Sequence, residues 1–485
     1  MDACREVPQS GGKREKGKGI GWQVRSGGRF LNPVRHSRGF CFVGAISCLI
    51  LLACGGSGKG KTAYIGATVI DGSGAPPMMD AVIIVAGGHI EAIGPPDLVR
   101  VPRGAAEVRL DGKWVIPGLI DAHAHTARWT LTRFLAYGVT SVRSMGEPQD
   151  TGVALRESVS LGSLAGPRLY ISGPILDSRA GTGLSIATLA TATDARRAVD
   201  ERVLIDAAQV KVYAGIDRTL LAPLLDEAKA LEIPVAAHLG RVDAITAARM
   251  GVNSLEHMTG VVEATVRDPT GFYRAHGDFF AGWNMFERAW AGLDSAGLDR
   301  TARALAETGV AIVPTLVLHE TFAHLSDQEF AARLDLSGVP QSVRDEWNVP
   351  DLIRRANLSE DDFLAFRSSR AAQNLFVRLF RRAQGIVAAG SDAPNQLLAP
   401  GVSLHDELAL LVEAGLSPED ALLAATRNAA QLVRADSIGV LRNGSVADFV
   451  VLSADPLADI ANTRSIETVV FKGHGYRPDE LRSGW

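Results

Sequence analysis

The feature that most constrains this chain is an alternation. Between residues 115 and 435, short apolar runs that read as strands are separated by amphipathic stretches with helical spacing. The runs fall at 115–120, 140–143, 168–172, 210–213, 234–237, 254–256, 310–318 and 386–389, and the stretches between them include 221–231, 244–250, 298–307 and 418–430. Strands that recur only after a crossover run parallel, and a parallel sheet needs both faces covered. Eight such units predict an α/β chain folded as a (β/α)8 TIM barrel with insertions rather than an open sheet. Residues 260–299 are long and irregular and carry Trp283 and Trp290. They read either as an insertion over the barrel mouth or as a plain surface excursion.

The flanks have a different rhythm. Residues 63–70, 81–85, 89–93 and 107–110 are strand-like and broken by Asp71-Gly72-Ser73-Gly74 and Gly87-Gly88, and a matching block lies at 448–452 and 466–471. Neither block makes a good sandwich alone. The economical solution is a small β-sandwich domain built from both chain ends, residues 62–114 plus 436–485, beside a barrel of residues 115–435. With 46% hydrophobic residues, the chain can bury both cores. Its 50 basic residues face 54 acidic ones, a net charge of −4 with no basic face in the body of the chain, so no nucleic-acid partner is expected. Homo-oligomerisation stays open.

Residues 1–61 stand apart. A polar leader with Lys13, Arg14, Lys16, Lys18, Arg25, Arg29, Arg35 and Arg38 precedes an apolar run from Phe40 to Ala53, which is short for a bilayer span and suited to a signal-peptide core. The run ends Leu51-Leu52-Ala53-Cys54, followed by a Gly-rich tether to Lys61. This resembles a bacterial lipoprotein signal, which implies export and a membrane anchor through a lipid on Cys54; an uncleaved anchor is the alternative. All four cysteines (Cys4, Cys41, Cys48 and Cys54) lie in this leader, so any metal in the body must be held by nitrogen and oxygen.

The strongest chemical signal is Val115-Ile116-Pro117-Gly118-Leu119-Ile120-Asp121-Ala122-His123-Ala124-His125. Residues two apart on a strand point the same way, so His123 and His125 can both reach one ion. Lys211 is flanked by Val210 and Val212. A lysine on a buried strand either snorkels or pairs, or loses its charge to burial, which frees the amine to take up carbon dioxide as an anionic carbamate. His238 and His257 each end an apolar run, and Asp392 sits in Gly390-Ser391-Asp392 at the end of the last strand, where barrel enzymes place catalytic groups. Alone, each would read as a core histidine or a helix N-cap.

Together His123, His125, Lys211, His238, His257 and Asp392 resemble, in order and strand position, the amidohydrolase superfamily in its dinuclear, carboxylated-lysine form. Within it the chain looks most like the imidazolonepropionase-like and Xaa-Pro dipeptidase-like branch. The likeness runs from about Thr62 to Tyr476 and includes the C-terminal segments 400–408, 425–430 and 444–452. It implies two divalent metal ions, with zinc expected. His123, His125 and Asp392 would hold the buried ion and His238 and His257 the outer one, bridged by the carbamate on Lys211. A metal-bridging hydroxide would attack, with Asp392 as general acid/base. The implied reaction is cleavage of a C–N bond in a small molecule, a dipeptide or N-acyl amino acid; lactone or phosphotriester hydrolysis is the alternative, and a non-catalytic binding protein is disfavoured by the intact ligand set. Tyr213 either contacts a substrate carboxylate or packs. The resemblance also covers Arg143 and His405, read as structural. The Gly-rich loop 172–183 lacks the histidine that dipeptidases of this branch often carry, which weakens the dipeptide assignment.

Overall fold

The computed structural model describes residues 58–180 and 185–485. The basic leader, the apolar run and Cys54 lie outside the described residues, as does the end of the Gly-rich loop at 181–184. No described helix is long and apolar enough to cross a membrane.

Both chain ends meet in one sheet. Its strands run in the order His474–Tyr476, Ile466–Phe471, Phe449–Leu452, Trp114–Pro117, Lys61–Val69, Met78–Ala86 and His89–Gly94, with Ala106–Arg109 also on Lys61–Val69. The pairing of the two chain ends expected from the sequence takes the form of this single hydrogen-bonded sheet. Period-two alternation explains why it has two apolar faces. Ala63, Val82 and Ile84 pack on one side, while Tyr64, Ile83 and Val85 join Val115, Phe449 and Val470 on the other. Tyr64 meets Phe449 edge-on at 5.0 Å between ring centroids, a favourable quadrupole arrangement.

The expected boundary at residue 115 shifts. Trp114–Pro117 belongs to the small sheet, and the first barrel strand is Leu119–Ala124. Gly118 makes the break: a Cβ there would lie 2.2 Å from Thr140 Oγ1, so the chain crosses between sheets only without a side chain.

The remaining barrel strands are Val139–Ser144, Arg168–Tyr170, Val210–Val212, Val235–Ala237, Ser254–Glu256, Ala311–Val313 and Ile386–Val387, and all their ladders are parallel. Two ladders of strands result, and backbone hydrogen bonds join them at both seams: Ala208 N donates to Ile171 O at 2.8 Å, and Ala122 N to Ala389 O at 2.9 Å. Two short strands escaped the sequence reading. Ile175–Asp177 prolongs the third strand's path and pairs with Val212 through Leu176, and Ile186–Thr188 lies beside it. The expected run 310–318 also divides. Pro314 cannot continue the ladder and Thr315 turns with φ 47°, so a strand is followed by the helix Leu316–Ala323.

Many of the helices between strands start where the preceding side chain satisfies the first free N–H groups. Thr191 and Asp194 form a capping box on Ala192–Leu204, Asp217 caps Arg218–Ala230, and Ser359 with Asp362 caps the 23-residue helix Glu360–Arg382. That last helix buries Phe363, Phe366, Phe376 and Phe380 along one side.

Candidate metal centre

Strand ends, rather than strand interiors, carry most of the chemistry. His125, His238, His257 and Asp392 each follow a strand directly or within a few residues, and His123 and Lys211 sit inside theirs. All six line one cavity, together with Tyr213. His257 and Asp392 adopt φ of 57° and 56°, a left-handed conformation costing side-chain-bearing residues roughly 1–3 kcal/mol, and such strain gathers at functional sites. In each case the turn swings the side chain inward from the strand's end. Gly390 lets the last strand approach the first: a Cβ there would stand 2.7 Å from that of His123.

Ligand-type atoms of His123, His257 and Asp392 lie within 4.8 Å of one another. Asp392 Oδ1 is 3.2 Å from His123 Nε2 and 3.1 Å from His125 Nε2, while Asn395 Nδ2 donates to its Oδ2 at 3.1 Å. The His238 ring lies 4.9 Å from that of His257. Among the described residues, Lys211 Nζ and both ring nitrogens of His238 are buried with no hydrogen-bond partner. Buried polar atoms without partners are expensive. Three nitrogens left bare beside three further histidines and a carboxylate fit a set that closes on cations.

The electrostatics agree with that fit. Burial pulls the Lys211 amine down to about 8, against the nearby Glu256 and Asp392 carboxylates, which makes a minority neutral form accessible near neutral pH. Burial likewise holds His238 and His257 well below the ordinary imidazole range, keeping them as neutral donors. For Asp392 burial acts upward, but the neighbouring imidazoles of His123 and His257 and the hydrogen bonds from His123 and His125 outweigh it, holding its carboxyl well below the usual carboxylate range.

Several supporting residues were not singled out in the sequence. Glu256 accepts from His123 Nδ1 at 2.6 Å, from Ser254 Oγ at 2.6 Å and from Arg143 Nη1 at 3.2 Å. Arg143 thus holds the carboxylate that orients a candidate ligand, a more specific role than plain structure. The signal was present, since an acid in the apolar strand Ser254–Glu256 needs a partner. Thr315 Oγ1 lies 2.7 Å from His257 Nδ1. Asp121 accepts from Ser391 Oγ at 2.5 Å and Ser391 N at 3.0 Å, tying the first strand to the last. Burial pushes its carboxyl up to about 6, only partly offset by those bonds. His405 lies elsewhere, between Tyr137 O at 2.9 Å and Thr463 Oγ1 at 2.8 Å, and is structural as expected.

The irregular residues 260–299 fold as helices, and Phe279–Ala289 places Phe279, Phe280 and Trp283 on the cavity wall. Trp290 instead packs in the core against Phe286 and Phe376. Tyr213 is buried, 4.5 Å from the His238 ring and stacked on Phe279 at 5.5 Å.

With this geometry in place, similarity decides the family. Residues 114–474 match the model of the amidohydrolase family. The chain belongs to that family. Its similarity to an imidazolonepropionase from Salmonella schwarzengrund is 27% over 411 residues, covering 78% of this chain and 87% of that protein. An uncharacterized protein of Mycobacterium tuberculosis is 28% identical over 220 residues, 37% of this chain, and the chain spans 57% of that relative's length. In fold it resembles a Xaa-Pro dipeptidase crystallised with methionine in its active site, at a TM-score of 0.61 and 19% identity over 86% of this chain and all of the other.

Proposed function

We propose that this amidohydrolase-family protein cleaves the C–N bond of a small peptide-like amide, of the dipeptide or N-acyl amino acid type, at a centre of two divalent cations. The observation that carries the reading is the convergence of His123, His125, Lys211, His238, His257 and Asp392 on one cavity, with three of their nitrogens buried and unpartnered. His123, His125 and Asp392 would hold one ion and His238 and His257 the other, with zinc suiting an all-nitrogen-and-oxygen set. A carbamate on Lys211 would bridge them, formed as the neutral amine adds to carbon dioxide and releases a proton. Such ions supply Lewis acidity and an acidified water.

The chain's own groups do the rest. Asp392 is ionised, at the cavity and within reach of two histidines, so it accepts the proton of the attacking water and returns it to the departing nitrogen. Glu256 fixes the orientation of His123, and Thr315 that of His257. Aromatic side chains around His238 exclude bulk water. The basic leader and Cys54 support a second part of the proposal, that the protein is exported and anchored by a lipid.

The test is a turnover screen of the metal-loaded protein over dipeptides, N-acyl amino acids, lactones and phosphotriesters. Release of amine from the first two classes is expected. Turnover confined to the lactone or phosphotriester panels would overturn the C–N assignment.

A further inference from the structure

Resting on the two-ion reading of the site, we infer that His319 is a positioning residue: held by Glu287, it sets both the candidate ligand His257 and the aromatic wall that a substrate meets. It does not touch substrate itself. Its helix, Leu316–Ala323, sends Leu318, Thr321 and Phe322 to the cavity, while His319 is buried and absent from the described lining residues. The ring makes three contacts. It stacks on Trp283, with 5.6 Å between centroids and 13° between planes. That indole lines the cavity, 5.6 Å from the His238 ring and 6.1 Å from that of His257. His319 Nε2 lies 3.2 Å from His257 O, and Nδ1 lies 2.5 Å from Glu287 Oε1. A carbonyl and a carboxylate only accept, so the ring donates from both nitrogens and Glu287 balances the charge this requires.

The long helix Glu360–Arg382 fixes the other side of this pair. Arg370 Nη1 donates to Gln373 Oε1 at 2.8 Å, which turns the Gln373 amide nitrogen to Glu287 Oε2 at 3.0 Å. Arg370 Nε also pairs with Glu320 at 2.9 Å, back on the helix of His319. Glu287, His319 and Gln373 are fully buried. Burying ions costs hydration that their attraction often fails to repay, so packing alone would favour apolar side chains of the same volume. Such side chains would lack a donor for the carbonyl of His257. That residue stands at φ 57° and is followed by Met258 at φ 56°, two consecutive left-handed conformations that need outside support. The His319 donor fixes this turn, and with it the imidazole of His257 at the end of its strand. The stacked face of the same ring fixes Trp283. One side chain thus registers the helix Phe279–Ala289 against the metal centre.

Two variants separate the two contacts, and no readout needs a substrate, so failure of the C–N reading leaves the test intact. His319→Phe/Glu287→Leu keeps a ring beside Trp283 and removes the donor together with its counter-charge, which spares the fold an unpaired buried carboxylate. His319→Gln keeps a donor and removes the ring. Zinc affinity is read by chelator competition, and ligand geometry by the visible spectrum after cobalt loading. Exposure of Trp283 is read by acrylamide quenching, taken as the difference from the matching Trp283→Phe protein. The double variant is expected to hold one zinc ion about tenfold or more weakly and to shift the cobalt spectrum, with Trp283 quenching unchanged. His319→Gln is expected to retain zinc affinity while Trp283 quenching rises. Unchanged zinc affinity and cobalt spectrum in the double variant overturn the inference, as does an equal loss of zinc in both variants. Should the double variant not fold, Glu287→Gln takes its place: the amide has the same shape but cannot balance a ring that donates twice. It must weaken zinc binding with little change in the urea midpoint, and unchanged affinity there overturns the inference as well. Fewer than two zinc ions on the unmodified protein would overturn the two-ion reading, and this inference with it.

Discussion

At the residue scale, the site is a set of side chains whose cost in isolation is high. Lys211 is the sharpest case, fully buried between valines with a bare Nζ. If the proposed two-ion centre is right, Lys211→Ala should lower the bound metal from two ions per chain towards one, measured by elemental analysis; an unchanged count would remove the bridge from the proposal. Thr315 touches no expected ligand atom except His257 Nδ1. Removing such a partner typically costs 10–100-fold in metal affinity, so Thr315→Val should weaken binding by about that factor in a chelator competition while leaving the far-ultraviolet spectrum unchanged. His123, His125 and Lys211 were legible in the chain because each is a polar residue at a fixed phase of an apolar run. Glu256 and Thr315 were less so: their partners are 133 and 58 residues distant, and while an acid in an apolar strand announces that it needs a partner, nothing local says which one.

At the element scale, what matters is how closely one segment can lie against another. The last strand and the first meet at Gly390, where an added Cβ would stand 2.7 Å from Val313 Cγ1 and 2.8 Å from His123 N. Gly390→Ala should cost roughly 1–3 kcal/mol by overpacking and lower metal occupancy together with the urea midpoint. The helix Val402–Glu413 docks on Leu316–Ala323 through Glu407, whose Oε2 accepts from Val317 N at 2.8 Å. Burial pushes that carboxyl up to about 8. The folded protein therefore holds a proton that the unfolded chain releases above its ordinary value of 4.5, and this contribution to stability is complete below 4.5 and lost as pH rises through 8. In urea titrations Glu407→Gln should flatten the fall in stability across that window; an undiminished slope would refute it. Element order was readable from the alternation of apolar runs with helical stretches. The aromatic wall was not, because Phe279 and Trp283 gain their place through tertiary docking of a helix whose own sequence fits any buried face.

At the scale of the whole molecule, the two chain ends are stitched into a single sheet beside the barrel. Phe449 is fully buried at its centre, against Tyr64 from the other end of the chain. Phe449→Ala should cost about 3–5 kcal/mol, seen as an earlier urea transition with little change in slope if the sheet and barrel unfold together. Arg168 of the third barrel strand pairs with Asp448 at 2.8 Å, and Gly118 N donates to Asp448 O at 2.9 Å, so the sheet and the barrel are bonded at their junction.

That stitching sets a timetable for birth on the ribosome. Trp114–Pro117 finds one neighbour, Lys61–Val69, early, but its other neighbour, Phe449–Leu452, is made more than three hundred residues later. Until the final stretch leaves the exit tunnel, an apolar strand edge stands open on the nascent chain, and sticky edges of this kind invite association with other chains. A stalled or truncated product ending before Phe449 would carry a whole barrel's worth of residues and still be a client for chaperones.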